Sequence, residues 1–88
     1  MHCRIEVRRQ DNRHVVHLAG RLANQEVPEL LEACIADSPP ILELDELVSA
    51  HAVGLDALLR IEERGGQLVG LPEYIRLKLN ALARERLR

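Results

Sequence analysis

The side chains of this 88-residue chain best suited to chemistry are its four histidines. His14 and His17 lie three apart. On a strand, where successive side chains alternate faces, that spacing points them in opposite directions. It would suit metal binding on a helix and does not suit it on a strand. His2-Cys3 stands at the very start of the chain. A metal site would need these groups to converge with carboxylates, and their spacing does not impose that. Glu43, Asp45 and Glu46 could supply a general acid and a general base. An acidic run of this kind reads more simply as a solvated strand end. Ser38 and Ser49 have no base beside them and no nucleophile-elbow context. Neither Gly-x-Gly-x-x-Gly nor a P-loop motif occurs, and Gly65-Gly66 reads as a helix cap. The expectation is a protein that is not an enzyme, with no catalytic residue, no bound metal and no cofactor.

Composition narrows the class further. The length accommodates one domain, spanning 1–88. A chain this short buries only about 60% of its unfolded surface. The 47% hydrophobic content suffices for one core. Phe and Trp are absent and Tyr74 is the sole aromatic residue, so Leu, Val, Ile and Ala must fill that core. A net charge of −2 argues against nucleic acid, whose binders carry a basic face and aromatic platforms. Arg84, Arg86 and Arg88 cluster at the C-terminus, where cations complement a helix dipole. Cys3 and Cys34 are isolated and lack Cys-x-x-Cys spacing, as in a reduced chain. No run approaches the roughly 18 apolar residues of a membrane span. Met1–Gln10 carries Arg4, Arg8 and Arg9 and no apolar stretch, so no signal peptide is expected. These features predict a cytoplasmic protein with no direct membrane insertion.

The elements that must position these residues can be read from periodicity. Ile5-Glu6-Val7 alternates as a half-buried strand does. Asp11-Asn12 is a turn pair, and His14–Leu22 reads as a second strand, its clear signal ending at Gly20. Val27, Leu30, Leu31, Cys34 and Ile35 form one helical stripe. Asn24 is a candidate N-cap, Pro28 sits in or near the first turn, and Asp37-Ser38-Pro39-Pro40 ends the helix. Ile41–Leu44 is an apolar strand, and Asp45–His51 a loop or strand tail. Ala52–Arg64 is a second helix with Leu55, Leu58, Leu59 and Ile61 toward the core, capped by Gly65-Gly66. Gln67–Leu71 is a short strand. Pro72 suits the first position of a third helix, whose stripe is Ile75, Leu79 and Leu82. The order is β-β-α-β-α-β-α, implying parallel or mixed pairing with right-handed crossovers.

In this order the segment from Ile41 to Leu55 resembles the STAS domain, the fold of bacterial anti-sigma factor antagonists. In that family a buried strand leads into an Asp-Ser-Ser-Gly-Leu motif that opens a helix. Val15–Leu22, with its Gly-x-Leu exit at Gly20-Arg21-Leu22, is similar to the family's second strand. Val27-Pro28-Glu29-Leu30 looks like the opening of its first helix, and Gly66–Leu71 like the strand after its second. The resemblance implies an α/β fold with a mixed sheet and helices packed mainly on one face. Family chains usually add a strand and a helix after the third helix. The expectation is therefore a sheet short of one edge strand, open to a partner or to a second copy in a homodimer.

Carried over by position, the motif's Asp falls on His51, its phosphorylatable Ser on Ala52, its second Ser on Val53 and its Gly on Gly54. Only Gly54 and the following Leu55 survive. A phosphate at a helix N-terminus is favoured by the dipole yet adds charge and bulk to a docking surface. Ala52 has no hydroxyl, so that switch cannot operate there, and Ser49 is only a weak substitute. His51 replaces a capping carboxylate. The resemblance implies a regulatory module that binds a protein partner through the loop Leu47–His51 and the helix from Ala52. The partner would be an anti-sigma-type kinase or another signalling protein. Ser49, His51, Ala52, Val53, Gly54 and Asp56 are the expected partner-binding residues. Two alternatives stay open: a small cytoplasmic STAS subunit of a lipid-transporting ABC system, and a small-ligand sensor.

Overall fold

A computed structural model describes residues 3–34 and 39–86. Its elements are β1 (Arg4–Gln10), β2 (Arg13–Leu22), a 3-10 turn (Asn24–Glu26), α1 (Val27–Ala33), β3 (Ile41–Ala50), α2 (Ala52–Glu63), β4 (Gln67–Val69) and α3 (Glu73–Arg86). The expected order β-β-α-β-α-β-α is the observed one. Ile35, Asp37 and Ser38, like His2 and Arg88, fall outside the described residues.

β1 and β2 form a hairpin with Gln10 paired to Arg13. Asp11 and Asn12 close it with φ of 52° and 66°. Two successive left-handed residues make the primed turn whose twist matches that of the strands, and Asp and Asn tolerate that region best among non-glycines. The sheet order is β1-β2-β3-β4, antiparallel at the first pair and parallel at the next two. The helices lie on one face of this mixed sheet. Val16, Leu18 and Leu22 of β2 and Leu42, Leu44 and Leu47 of β3 share a single core with Leu30, Leu58, Ile75 and Leu79 of the helices. The opposite face carries charge. There Arg8 reaches Glu43 at 2.6 Å, and His17 lies between Glu43 and Glu46 at 3.5 and 3.4 Å.

Of the two readings of Asp45–His51, loop or strand tail, the structure has the strand tail: β3 runs on from Leu44 to Ala50. The residues Glu43, Asp45 and Glu46 are therefore part of the strand, and so is Leu47–Ala50. The β2–β3 register shifts between His17 and Ala19 and again between Gly20 and Arg21. Each shift places an extra residue in β3, which is a bulge. Inward positions consequently fall at Leu42, Leu44, Leu47 and Ala50. That spacing breaks the period-two alternation by which a strand is read, so the second half looks like a loop.

β2 ends at Leu22, as expected, and begins one residue earlier, at Arg13. Smaller corrections have local causes. Asn24 is not the N-cap of α1, because a 3-10 turn precedes the helix. Ala23 opens that turn, and its N–H donates to Glu26 Oε1 at 3.3 Å. Pro28 occupies the first turn of α1 as expected. α2 ends in the expected cap: the Gly66 N–H donates to Ile61 O at 2.9 Å and the Gly65 N–H to Glu62 O at 3.0 Å. Gly65 sits at φ 98°, the left-handed position this cap requires. β4 stops at Val69, because Gly70 turns the chain away at φ 71°. Pro72 stands one residue before α3, its carbonyl accepting from the Ile75 and Arg76 N–H groups at 3.0 Å. α3 is then held to α2 by Arg76, which donates both ends of its guanidinium to Glu62 at 3.1 and 3.0 Å.

Leu44 is fully buried where β3 meets the helices. Leu44→Ala should cost about 2–5 kcal/mol. A small domain has only about 5–15 kcal/mol in total. The urea unfolding midpoint of this variant is expected to fall by a large fraction, or the chain to be unfolded in water.

Candidate functional site: the corner between β3 and α2

The corner is built on a contact between the end of β2 and the start of α2. The Leu22 carbonyl accepts the His51 N–H at 3.0 Å, which ties the tip of β3 to β2. His51 is extended (φ −77°, ψ 171°), and its carbonyl accepts the Leu55 N–H at 2.8 Å to start the helix. Gly54 then packs directly on Leu22. A Cβ at Gly54 would stand 2.9 Å from both Leu22 Cγ and Leu22 O. The surviving glycine of the motif is therefore a requirement of space. Gly20, two residues before Leu22, adopts φ 92° beside the second bulge. The Gly-x-Leu exit of β2 and the glycine of α2 are two halves of one junction.

The six expected binding residues divide into two groups. His51, Ala52 and Val53 are exposed at the first turn of α2. No side chain caps that turn, since His51 makes no such bond. Ser49 is half-buried in β3 opposite Arg21, so it is a strand residue and not a loop residue. Gly54 is buried. Asp56 is half-buried and already paired, with Arg60 one turn along at 3.0 Å and with Arg86 of α3. Its carboxylate fastens α3 onto α2. Arg86 thus does more than complement a dipole, because it also reaches Glu63 at 3.1 Å.

Tyr74 is the corner residue that the sequence reading did not assign to the site, and Val48 lies within the expected segment Leu47–His51. The Tyr74 hydroxyl donates to the Val48 carbonyl. β3 has no β4 partner beyond Glu43, so this bond serves a carbonyl the ladder leaves open. Val48, Val53 and Tyr74 are each about half exposed, at 51%, 46% and 49%. A lone aromatic residue two places after a proline is the signal that could have singled out Tyr74.

Elsewhere the chemistry is sparse. His14 and His17 do face opposite ways: His17 joins the charged face, and His14 has the inward parity of Val16 and Leu18. Glu6, Arg8, His17, Glu43 and Asp45 line an open depression of about 430 Å³, across which Arg8 pairs with Glu43. Among the described residues no three His, Cys, Asp or Glu side chains come together as a metal site would require. Nor is any described helix long and apolar enough to cross a membrane. Both cysteines are free thiols. Burial raises the pKa of Cys3, helped by Glu26 and Glu29, and pushes that of Cys34 up to about 11.

A mixed four-stranded sheet in this order, with three helices on one face and a strand-to-helix corner of this build, defines a SpoIIAA-like fold, the fold of STAS domains. No protein-family model matches the chain. Among solved structures it is similar to an uncharacterized protein of the DUF3478 family with a SpoIIAA-like fold from Shewanella loihica. The two superpose with a TM-score of 0.52 at 15% identity, over 82% of this chain and 69% of that one. At that identity the likeness is one of fold.

Two outcomes follow from this geometry. Gly54→Ala should destabilise the chain by about 1–3 kcal/mol through overpacking against Leu22, read as a lower midpoint in chemical denaturation. Ala57→Gly, in the same helix, gives a comparison governed by helix propensity and lost packing. The Cys34 thiolate signal near 240 nm should appear around pH 11 in the folded protein, not near pH 9. The sign for stability follows: below pH 9 the thiol is neutral in both states and contributes nothing. Between pH 9 and 11 only the unfolded chain ionises, so folding weakens as pH rises.

Proposed function

We propose that this chain is a non-catalytic regulatory module that docks a partner protein on the corner between β3 and α2, and that phosphorylation at the usual position does not control it. The observation that carries the reading is the chemistry of the first turn of α2. Where the resembling family places an acid and two hydroxyls, this chain exposes His51, Ala52 and Val53. Val48 and Tyr74 extend the apolar character of the same corner. The backbone N–H groups of the turn carry no side-chain cap, so an acidic group of the partner could take that place. The partner that suits this surface is a signalling protein of the anti-sigma kinase type, with an apolar patch bordered by carboxylates.

Val53→Glu is the direct test. Val53 is exposed, and an acidic residue in a first helical turn is favourable to folding, so the fold should persist. A charge set into a docked apolar contact should weaken partner binding about tenfold or more. Affinity capture with the full chain, followed by titration of the captured protein against wild type and Val53→Glu, reads that change. Equal affinity for the two would refute the proposed surface. Asp56 is a poor choice for this test, because its loss loosens α3.

A further inference from the structure

β1 is an edge strand, and its sequence is self-complementary over its whole length in one register. The two-residue turn makes Gln10 and Arg13 the first hydrogen-bonded pair of the hairpin. By alternation Arg8, Glu6 and Arg4 also bond to β2. Ile5, Val7 and Arg9 therefore turn their N–H and C=O groups toward the open edge. Val7 pairs with Val16 and so belongs to the helix-bearing face, yet it is 50% exposed. Glu6 and Arg8 lie on the opposite, charged face, beside His17 and Val15.

We infer that this edge binds a second copy of the chain, β1 against β1 antiparallel, about a two-fold axis through Val7. This surface is separate from the proposed docking corner, and the inference does not rest on that reading. Charge selects both the occupant and the register. An axis perpendicular to the sheet keeps like faces together, so it must pass through a residue. Centred on Val7, Glu6 of each copy meets Arg8 of the other, and the two Val7 side chains meet on the core side. Ile5 then lies beside Arg9, whose aliphatic stem can cover it. Centred on Glu6, the pairs become Glu6 with Glu6 and Arg4 with Arg8. Centred on Arg8, Arg8 meets Arg8. Like charges opposed across a ladder are unfavourable, so the Glu6 and Arg8 registers are blocked. Centred on Ile5, Arg4 meets Glu6, but only Arg4–Glu6 of the strand then pairs, whereas the Val7 register pairs the whole of Arg4–Gln10 and is favoured for that reason. The charges that keep this edge from pairing indiscriminately also specify one partner. The result is a continuous eight-stranded sheet with both helix layers on the same side.

Sedimentation of the full chain up to about 1 mM, which covers affinities as weak as about −4 kcal/mol, tests the inference. The expected result is a concentration-dependent dimer. Val7→Pro removes a donor that β2 does not use, and proline is tolerated at such an edge, so this variant should stay folded by circular dichroism and sediment as a monomer. Glu6→Arg should weaken the dimer about tenfold or more, since two ion pairs become like-charge pairs. Val7→Cys, oxidised gently, should give a peptide linking Cys at position 7 to its own copy. Wild type monomeric throughout, or a dimer that survives Val7→Pro unchanged, would overturn the inference.

Discussion

The close approach of Gly54 to Leu22 is the contact on which the arrangement of the candidate site depends. A helix following a parallel strand must turn back over the sheet. Here it does so within one residue, His51, because the N-terminus of α2 rests directly on the end of β2. Any Cβ at position 54 would push the helix off that strand. The hydrogen bond from the His51 N–H to the Leu22 carbonyl fixes the same two elements through the backbone. Together they present His51, Ala52 and Val53 on a rigid corner and not on a mobile loop.

The bulges in β3 and the shortness of β4 are consequences of the same geometry. β3 carries two more residues than its partner over the shared ladder, which increases twist and swings its tip toward α2. β4 pairs with only the first part of β3, so the later carbonyls need other partners. Tyr74 supplies one of them from the start of α3. α3 is in turn held by Glu62, Glu63 and Asp56 of α2. Exposed ion pairs of this kind contribute about 0–1 kcal/mol each, so they orient α3 more than they stabilise it. The stability resides in the buried residues Ile75 and Leu79.

Much of this was legible in the sequence because local signals agreed with the fold. The Asp11-Asn12 turn, the Gly65-Gly66 cap and the order of elements all stand as read. The α1 stripe holds in part: Val27 and Leu30 are buried, Leu31 is exposed, and the helix ends at Ala33 before the rest of the stripe. The rest was hidden where a local pattern is weak or broken. Asp45–His51 reads as a loop or a strand tail because the bulges in β3 destroy alternation. Asn24 was taken for a cap because a 3-10 turn before a helix has no sequence signature of its own. The ties of Asp56 to Arg60 and Arg86 were not legible, because the second bridges two helices and has no regular spacing. Gly54 was recognised by motif, but its reason, the space taken by Leu22, is visible only in three dimensions.

The central claim is that the corner is preformed in the free chain and covered in the bound one. Amide hydrogen exchange on the full chain, alone and with its captured partner, tests that claim most directly. The account predicts that the His51 amide is protected nearly as well as the core in the free protein, and that Ala52 and Val53 gain protection only on binding. Rapid exchange of His51 in the free chain would contradict it, as would new protection on the charged sheet face with the first turn of α2 unchanged.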